Sequence, residues 1–408
     1  MDIEKINIRL SLFYLVSIAT IGLMLRWYAV DIYQIDYKGF LHAHSHIAFL
    51  GWIYLAFVVI INHIYVPAQR LKTLRYKAIS IFAHLSLWGI LISFPLQSYG
   101  FFSILFLSLF LIATYFYVWF FRKNKAVDDS HRHSFSFVRA ALFFMIFSGL
   151  GPWLLGAVIK IFGKDSAMYS DTIYFYLHFQ YNGWFLFSLL GISLYFVERQ
   201  NMNLPSKLIN KIWYLLVGST VLSYFSNTLW ADPPLYFNAL ALLGVMGEWI
   251  ALLLFVNYLF AQRNVFKSRF SSFQYTILQW VFVLLLLKAS LQLFQVFPYF
   301  AKVSYQIRNF IIGYLHLLML GIFTPFLLLI MHHIKAIRLS GLFFSIFYTG
   351  FIINELALFS HAILIWADGD LSIPFAWILV IASVLMLSGF VGIFLRSNTP
   401  QEIEPKDR

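Results

Sequence analysis

Long apolar runs separated by short polar loops recur along the whole chain. A helix that crosses a bilayer core of ~30 Å needs about 20 mostly apolar residues. By that measure the pattern predicts an all-α polytopic membrane protein with twelve spans. The spans form one membrane domain over 1–398. The polar residues 399–408 are predicted to be a disordered cytoplasmic tail. The predicted spans run 9–29, 39–65, 76–96, 100–121, 135–160, 172–197, 208–230, 236–261, 270–297, 306–334, 340–365 and 372–396.

The composition agrees with a membrane protein and narrows the chemistry. Hydrophobic residues make up 61% of the chain and charged residues 11%, whereas soluble domains carry about 25% charged residues. The chain has no cysteine, which excludes disulfides, iron–sulfur clusters and covalently attached heme. A bound metal would therefore need histidine, carboxylate or amide ligands.

The net charge of +12 comes from lysine and arginine residues that lie mainly in the loops between spans. We therefore do not interpret it as a nucleic-acid-binding surface and expect no nucleic acid partner. Short cytoplasmic loops collect lysine and arginine, and these residues concentrate in the loops after even-numbered spans, as in 70–77 and 122–132. Loops after odd-numbered spans are richer in aspartate, for example at Asp36 and Asp165. This asymmetry predicts a bacterial-type inner membrane location with both termini in the cytoplasm.

A histidine followed five residues later by a glycine occurs three times at nearly equal intervals, at His46, His178 and His316. These residues fall on predicted spans 2, 6 and 10, so the chain reads as three pseudo-symmetric four-helix units over about 1–125, 126–265 and 266–398. Because four spans is an even number, the units share one orientation, and all three histidines are predicted at one depth in the outer leaflet. The glycines suit close approach of a helix or of a flat ligand.

Ionisable residues inside a membrane are rare and usually face a site. His42 and His46 share one face of span 2, whereas His44 points away. His84, in span 3, is interpreted either as a ligand or as a hydrogen-bonded packing residue. His361, near the outer end of span 11, is predicted to line the same chamber. Three charged residues are predicted to form a proton path or contact heme propionates, or else to form a structural ion pair: Glu248, Glu355 and Lys288.

These motifs resemble the central subunit of heme-copper oxidases and nitric oxide reductases, and the related NnrS proteins. The stretch HAHSHIAFLGW looks like HAHxxLFG of the reductases and of NnrS, HFQYNGW is similar to the oxidase HFHY segment, and YLHLLMLGI resembles the NnrS HALTVG segment. The resemblance implies an oxidase-like fold of twelve helices. It also implies electron transfer or the handling of nitric oxide or oxygen, with quinol or a cytochrome as electron donor.

Carried over by position, His46 or His42 together with His316 would be axial ligands of a b-type heme. His178 would match a copper ligand, and His42, His44 and His361 could rebuild a metal site with it. The chain departs from the family in two places: span 7 has no histidine pair, and span 10 offers His316 alone at its depth. The resemblance therefore predicts an NnrS-like protein without a standard copper site, which would be an oxidoreductase if it is an enzyme.

A second hypothesis keeps the repeat but assigns another class of function. In it, the intramembrane histidines of a transporter bind metal ions or relay protons. A visible absorption spectrum separates the two hypotheses, because only the first predicts heme.

Overall fold

The computed structural model describes residues 3–30, 35–199, 204–369 and 372–397, and the predicted disorder at 399–408 lies outside these residues. The described residues form helices and contain no strand. The long helices are α1 Ile3–Trp27, α2 Tyr37–Tyr65, α3 Leu74–Gln97, α4 Phe101–Asn124, α5 Arg132–Phe162, α6 167–198, α7 Ser206–Ala231, α8 Tyr236–Ala261, α9 Ser272–Phe294, α10 Arg308–His333, α11 Gly341–Trp366 and α12 Ile373–Ser397.

Eleven of these helices are long and apolar enough to cross a membrane, which confirms a polytopic helical membrane protein; this count covers the described part of the chain. The exception is α6, whose middle carries His178, Gln180 and Asn182. These side chains are buried. A helix surrounded by protein can carry polar residues that hydrogen-bond to its neighbours, because it presents little surface to lipid.

The helices that carry the repeated histidines are strongly buried. In the most apolar 18-residue stretch of α2, 83% of the residues are buried. In the corresponding stretch of α10, 78% are buried. The α6 residues from His178 to Leu194 are buried without interruption. A helix that is apolar on every side belongs in the interior of a bundle rather than at its lipid-facing surface.

The chain divides into two compact units. Unit 1 comprises Met1–Ala126 and Met319–Arg408, and unit 2 comprises Val127–Leu318. The second dividing point falls inside α10. Within unit 1, α12 packs against both α1 and α11, and α3 packs against α4; within unit 2, α7 packs against α8 and α5 packs against α6.

The start of α1 differs from the sequence prediction for a physical reason. It begins at Ile3 rather than at residue 9. Its first turns carry Glu4 and Asn7, which a hydropathy criterion excludes from a span. In the structure both side chains hydrogen-bond to Tyr76 of α3, so the polar start of the helix is held against protein.

Candidate functional site

Each repeated histidine is followed directly by a seven-residue π-helical segment. These segments are Ile47–Ile53 after His46, Phe179–Phe185 after His178 and Leu317–Phe323 after His316. A π-helical turn contains an extra residue, which shifts the phase of the side chains that follow, and such turns are frequent at functional sites. The three-fold sequence pattern is therefore also a three-fold local backbone feature.

The glycine inside each of the first two segments lies against an aromatic side chain of the preceding helix. A Cβ atom on Gly51 would lie 3.0 Å from Cγ of Tyr14 on α1. A Cβ atom on Gly183 would lie 2.5 Å from Cβ of Phe144 on α5. Both glycines thus permit close helix packing, which is one of the two roles the sequence suggested for them.

Two of the α2 histidines belong to an aromatic cluster in unit 1, which we define as His42, His46, Phe94 and Tyr99. The rings of His42 and His46 are 6.5 Å apart, and that of His46 is 4.8 Å from Phe94. The ring of His42 is 4.5 Å from Tyr99, whose hydroxyl lies 3.1 Å from Nε2 of His46. Among the described residues, Nε2 of His42 is buried and has no hydrogen-bond partner.

His44 lies on the other side of α2, as the helical periodicity predicts. Its Nδ1 lies 3.0 Å from the backbone carbonyl oxygen of Ile18 on α1. The ring also approaches Gly22, where a Cβ atom would lie 3.0 Å from Cε1 of His44. A metal ligand role for His44 would use its remaining ring nitrogen.

His178 is fully buried, and both of its ring nitrogens have protein partners in unit 2. Nε2 lies 2.8 Å from the carbonyl oxygen of Thr220, so it carries the proton and donates. Nδ1 accepts from the side-chain amides of Asn182 at 3.2 Å and Asn227 at 3.0 Å. A metal ion bound by His178 would therefore have to replace one of these hydrogen bonds.

Lys288 and Glu248 form a buried ion pair beside this histidine. Nζ of Lys288 lies 2.5 Å from Oε1 of Glu248, and both side chains are 1% exposed. Ser223 donates to the other carboxylate oxygen at 3.0 Å. Nζ of Lys288 also donates to Oδ1 of Asn182 at 2.5 Å, while the Asn182 amide donates to His178. The charge pair and the histidine therefore belong to one hydrogen-bonded network.

The other predicted site residues lie on α10 and α11. His316 is the last α-helical residue before the third π segment. The ring of His361 stacks on Phe375 at 4.9 Å with an interplanar angle of 7°. Oε1 of Glu355 accepts from the Asn354 amide at 3.1 Å, and the Glu355 carboxyl lies within electrostatic range of Arg26.

Neither set of predicted ligands belongs to a single unit. Of the metal ligands, His178 belongs to unit 2 and His44 and His361 to unit 1; of the heme ligands, His316 belongs to unit 2 and His42 and His46 to unit 1. Over the described ranges, no group of three or more His, Cys, Asp or Glu side chains is arranged to hold a metal ion. Copper binding by these residues stays a prediction.

The structure gives His84 the packing role that the sequence left open. Its Nε2 lies 2.9 Å from Oδ1 of Asn7, and its Nδ1 lies 3.4 Å from the Tyr14 hydroxyl. Asn7 also accepts from Ser80 and donates to Tyr76. This buried network of unit 1 was not predicted, although polar residues spaced one turn apart in α3, at Tyr76, Ser80 and His84, were its signal in the sequence.

Comparison with models of known protein families found no match, and comparison with curated protein sequences found none either.

Proposed function

We propose that this chain is a heme-binding membrane protein of the heme-copper oxidase superfamily, with twelve spans in three four-helix units. Its function would be electron transfer or the handling of nitric oxide or oxygen. One observation carries the proposal: a histidine stands directly before a π-helical segment in each of three strongly buried helices. Single π-helical turns inside α-helices are frequent at functional sites.

The donor groups of the α2 cluster suit a heme iron. His42 and His46 offer imidazole nitrogens beside the aromatic rings of Phe94 and Tyr99, and Nε2 of His42 is a buried nitrogen for which the described residues supply no partner. In the proposal His46, or His42 in its place, and His316 hold the heme. The bound heme would carry one electron between its ferric and ferrous forms.

In the proposal His178 is not a heme ligand; it is the residue that would match a copper ligand. Its ring is held by Thr220, Asn182 and Asn227. Copper is therefore a secondary proposal, and a soluble cytochrome or quinol remains the proposed electron donor. The distribution of lysine and arginine supports cytoplasmic termini and histidines in the outer leaflet of a bacterial-type inner membrane.

The buried pair of Lys288 and Glu248 favours a second candidate function. Intramembrane charges that pair with each other and connect to a histidine are common in proton relays. In this alternative the chain is a transporter that moves protons or metal ions, and Glu355 is a further proton-binding group. It predicts a folded protein without heme.

Heme content of histidine variants tests the proposal. We expect the purified protein to carry heme, and His316→Ala to lose most of it because one axial ligand is missing. Comparing His46→Ala with His42→Ala identifies the α2 ligand, since only the ligand variant should lose heme to the same degree. The measurement is the heme-to-protein ratio from the absorption spectrum after purification.

His63→Ala is the matched control, because His63 lies on the same helix toward its other end. It should keep the wild-type heme content. Thermal unfolding of every variant separates heme loss from misfolding. Heme retained in His42→Ala, His46→Ala and His316→Ala alike would overturn the ligand assignment.

A further inference from the structure

Helix α7 ends in an eight-residue 3₁₀ helix, Tyr224–Ala231, which belongs to unit 2. We call these residues the 3₁₀ segment. Its hydrogen bonds have poorer geometry than those of an α-helix, so runs longer than about four residues are uncommon, and inside a longer helix they often mark a hinge. The segment packs against α8 and against a short helix, Pro298–Gln306. It therefore joins a long helix of the bundle to a short one.

Side chains of the 3₁₀ segment satisfy much of its own backbone. Three of them each donate a hydrogen bond to the carbonyl oxygen three residues earlier: Ser226 at 2.8 Å, Asn227 at 3.3 Å and Thr228 at 2.9 Å. A buried carbonyl oxygen without a partner would be costly. Because these bonds lie within the segment and the residue before it, the segment can shift as one piece and keep them.

Asn227 connects the 3₁₀ segment to the buried His178. Its amide donates to Nδ1 of His178 at 3.0 Å, and the amide of Asn182 donates to the same nitrogen at 3.2 Å. The unprotonated nitrogen of a neutral imidazole has one lone pair, so Nδ1 has one donor more than it needs. Withdrawal of Asn227 therefore leaves His178 hydrogen-bonded, and Asn227 keeps its bond to the Tyr224 carbonyl oxygen.

The far end of the 3₁₀ segment is held mainly by contacts at the surface. The ring of Trp230 stacks on Tyr305 at 3.8 Å, and Tyr305 is 38% exposed. Asp232, which directly follows the segment, pairs with Lys302, and these side chains are 69% and 43% exposed. Exposed ion pairs contribute little to stability. Such contacts can break while the unit stays folded.

One buried apolar contact also holds the segment. Leu229 packs against Ala241 of α8 and Ala301 of the short helix. Each alanine presents a single methyl group, so the apolar area that a small shift of Leu229 would uncover is limited.

We propose that the 3₁₀ segment is a lid over His178, which opens to let water, and a metal ion dissolved in it, reach Nδ1. In the closed state Asn227 covers that nitrogen, and in the open state the segment carries Asn227 away. The exposed charges of Asp232 and Lys302 place the moving end at an aqueous surface. The lid does not depend on the heme assignment, because it concerns access to His178 alone.

The test is the rate at which diethyl pyrocarbonate modifies His178 in the purified full-length protein in detergent, measured by peptide mass spectrometry. The reagent acylates the unprotonated nitrogen of an imidazole, so the rate reports how often Nδ1 is uncovered. We expect the double variant Lys302→Met/Tyr305→Leu to react about tenfold faster than the wild type, because an ion pair and an aromatic stack that close the lid are lost. Lys302→Met alone should react faster by a smaller factor.

His84 is the internal reference, because its Nδ1 is also buried and lies next to a single hydroxyl group, that of Tyr14 in unit 1. Its rate should be the same in every variant. Tyr214→Leu is the matched control, since Tyr214 lies on α7 outside the 3₁₀ segment and is 70% exposed. It should leave both rates unchanged. An unchanged rate at His178 in the double variant would overturn the proposal. An equal rise at His84 and His178 would also overturn it, because the whole fold would then have loosened.

Discussion

Replacing Lys288 with methionine should cost the protein most of its stability. The change removes one partner of a buried ion pair and leaves the Glu248 carboxylate, which is 1% exposed, without its cation. Removing one partner of such a pair costs about 3–5 kcal/mol, against a total stability of about 5–15 kcal/mol for a typical folded protein. We expect a large fall in the midpoint of thermal unfolding in detergent and a small yield of monodisperse protein.

The double variant Lys288→Met/Glu248→Met should recover much of this loss. A buried ion pair replaced by apolar side chains of similar volume is often neutral in stability. The recovery should be incomplete, because Asn182 and Ser223 also lose hydrogen-bond partners in the network. A single variant as stable as the wild type would contradict the assignment of the pair as buried and coupled.

Lys302→Met provides the control for loss of a lysine. Lys302 pairs with Asp232 at 2.7 Å, but the two side chains are 43% and 69% exposed. Exposed pairs contribute about 0–1 kcal/mol. The unfolding midpoint of this variant should therefore remain close to that of the wild type.

Gly183→Ala should be more damaging than the corresponding change at Gly51 in the first repeated motif. The added Cβ would lie 2.5 Å from Cβ and 2.7 Å from Cγ of Phe144. These atoms lie close to the α5 backbone and cannot move away as a flexible chain end could. Forcing extra atoms into a packed interior costs about 1–3 kcal/mol and displaces neighbouring helices.

Three glycine-to-alanine variants that differ in the space available for the added Cβ atom test this prediction. Gly51→Ala should cost less, because its Cβ would lie 3.0 Å from Ile47 and Tyr14. Gly156→Ala has nothing within 4 Å and should be neutral or stabilising by up to about 1 kcal/mol, since alanine restricts the unfolded chain. Thermal unfolding should rank the stabilities as Gly156→Ala, then Gly51→Ala, then Gly183→Ala. Equal effects at Gly183 and Gly156 would show that the motif glycine has no packing role.

The long helices were predictable because hydropathy reports the lipid-facing and buried surface directly. The sequence also predicted a span at 172–197, but α6 is the long helix of the described residues that does not meet the apolarity criterion. Its polar residues Gln180 and Asn182 lie inside protein, where Ser148 and Lys288 hydrogen-bond to them. Hydropathy averages over a window and cannot separate a polar residue facing a partner from one facing lipid.

The π-helical segments could not be read from periodicity. The inserted residue occupies a single turn but shifts the phase of the side chains that follow, and whether this turn is stable depends on the neighbouring helix. At Gly51 and Gly183 that neighbour is an aromatic ring on α1 or α5, distant in sequence. The only signal in the sequence was the three-fold recurrence of histidine and glycine at one spacing.

The partners of the histidines were also only partly predictable. The opposite orientations of His44 and His46 follow from helical geometry, and contacts to Ile18 and Tyr99 agree with it. Asn182 could be expected near His178 because it lies one turn away on the same helix. Asn227 and Thr220 could not, because they come from α7, and its approach depends on the packing of the whole unit.

The central claim is that His316 and one histidine of α2, His46 or His42, hold a heme. The most direct test is the absorption spectrum of the purified wild-type protein, expressed in a heme-replete host and reduced with dithionite. We predict a sharp α-band of b-type heme with two histidine ligands. A protein that is folded, monodisperse and colourless under these conditions would contradict the account and favour the transporter alternative.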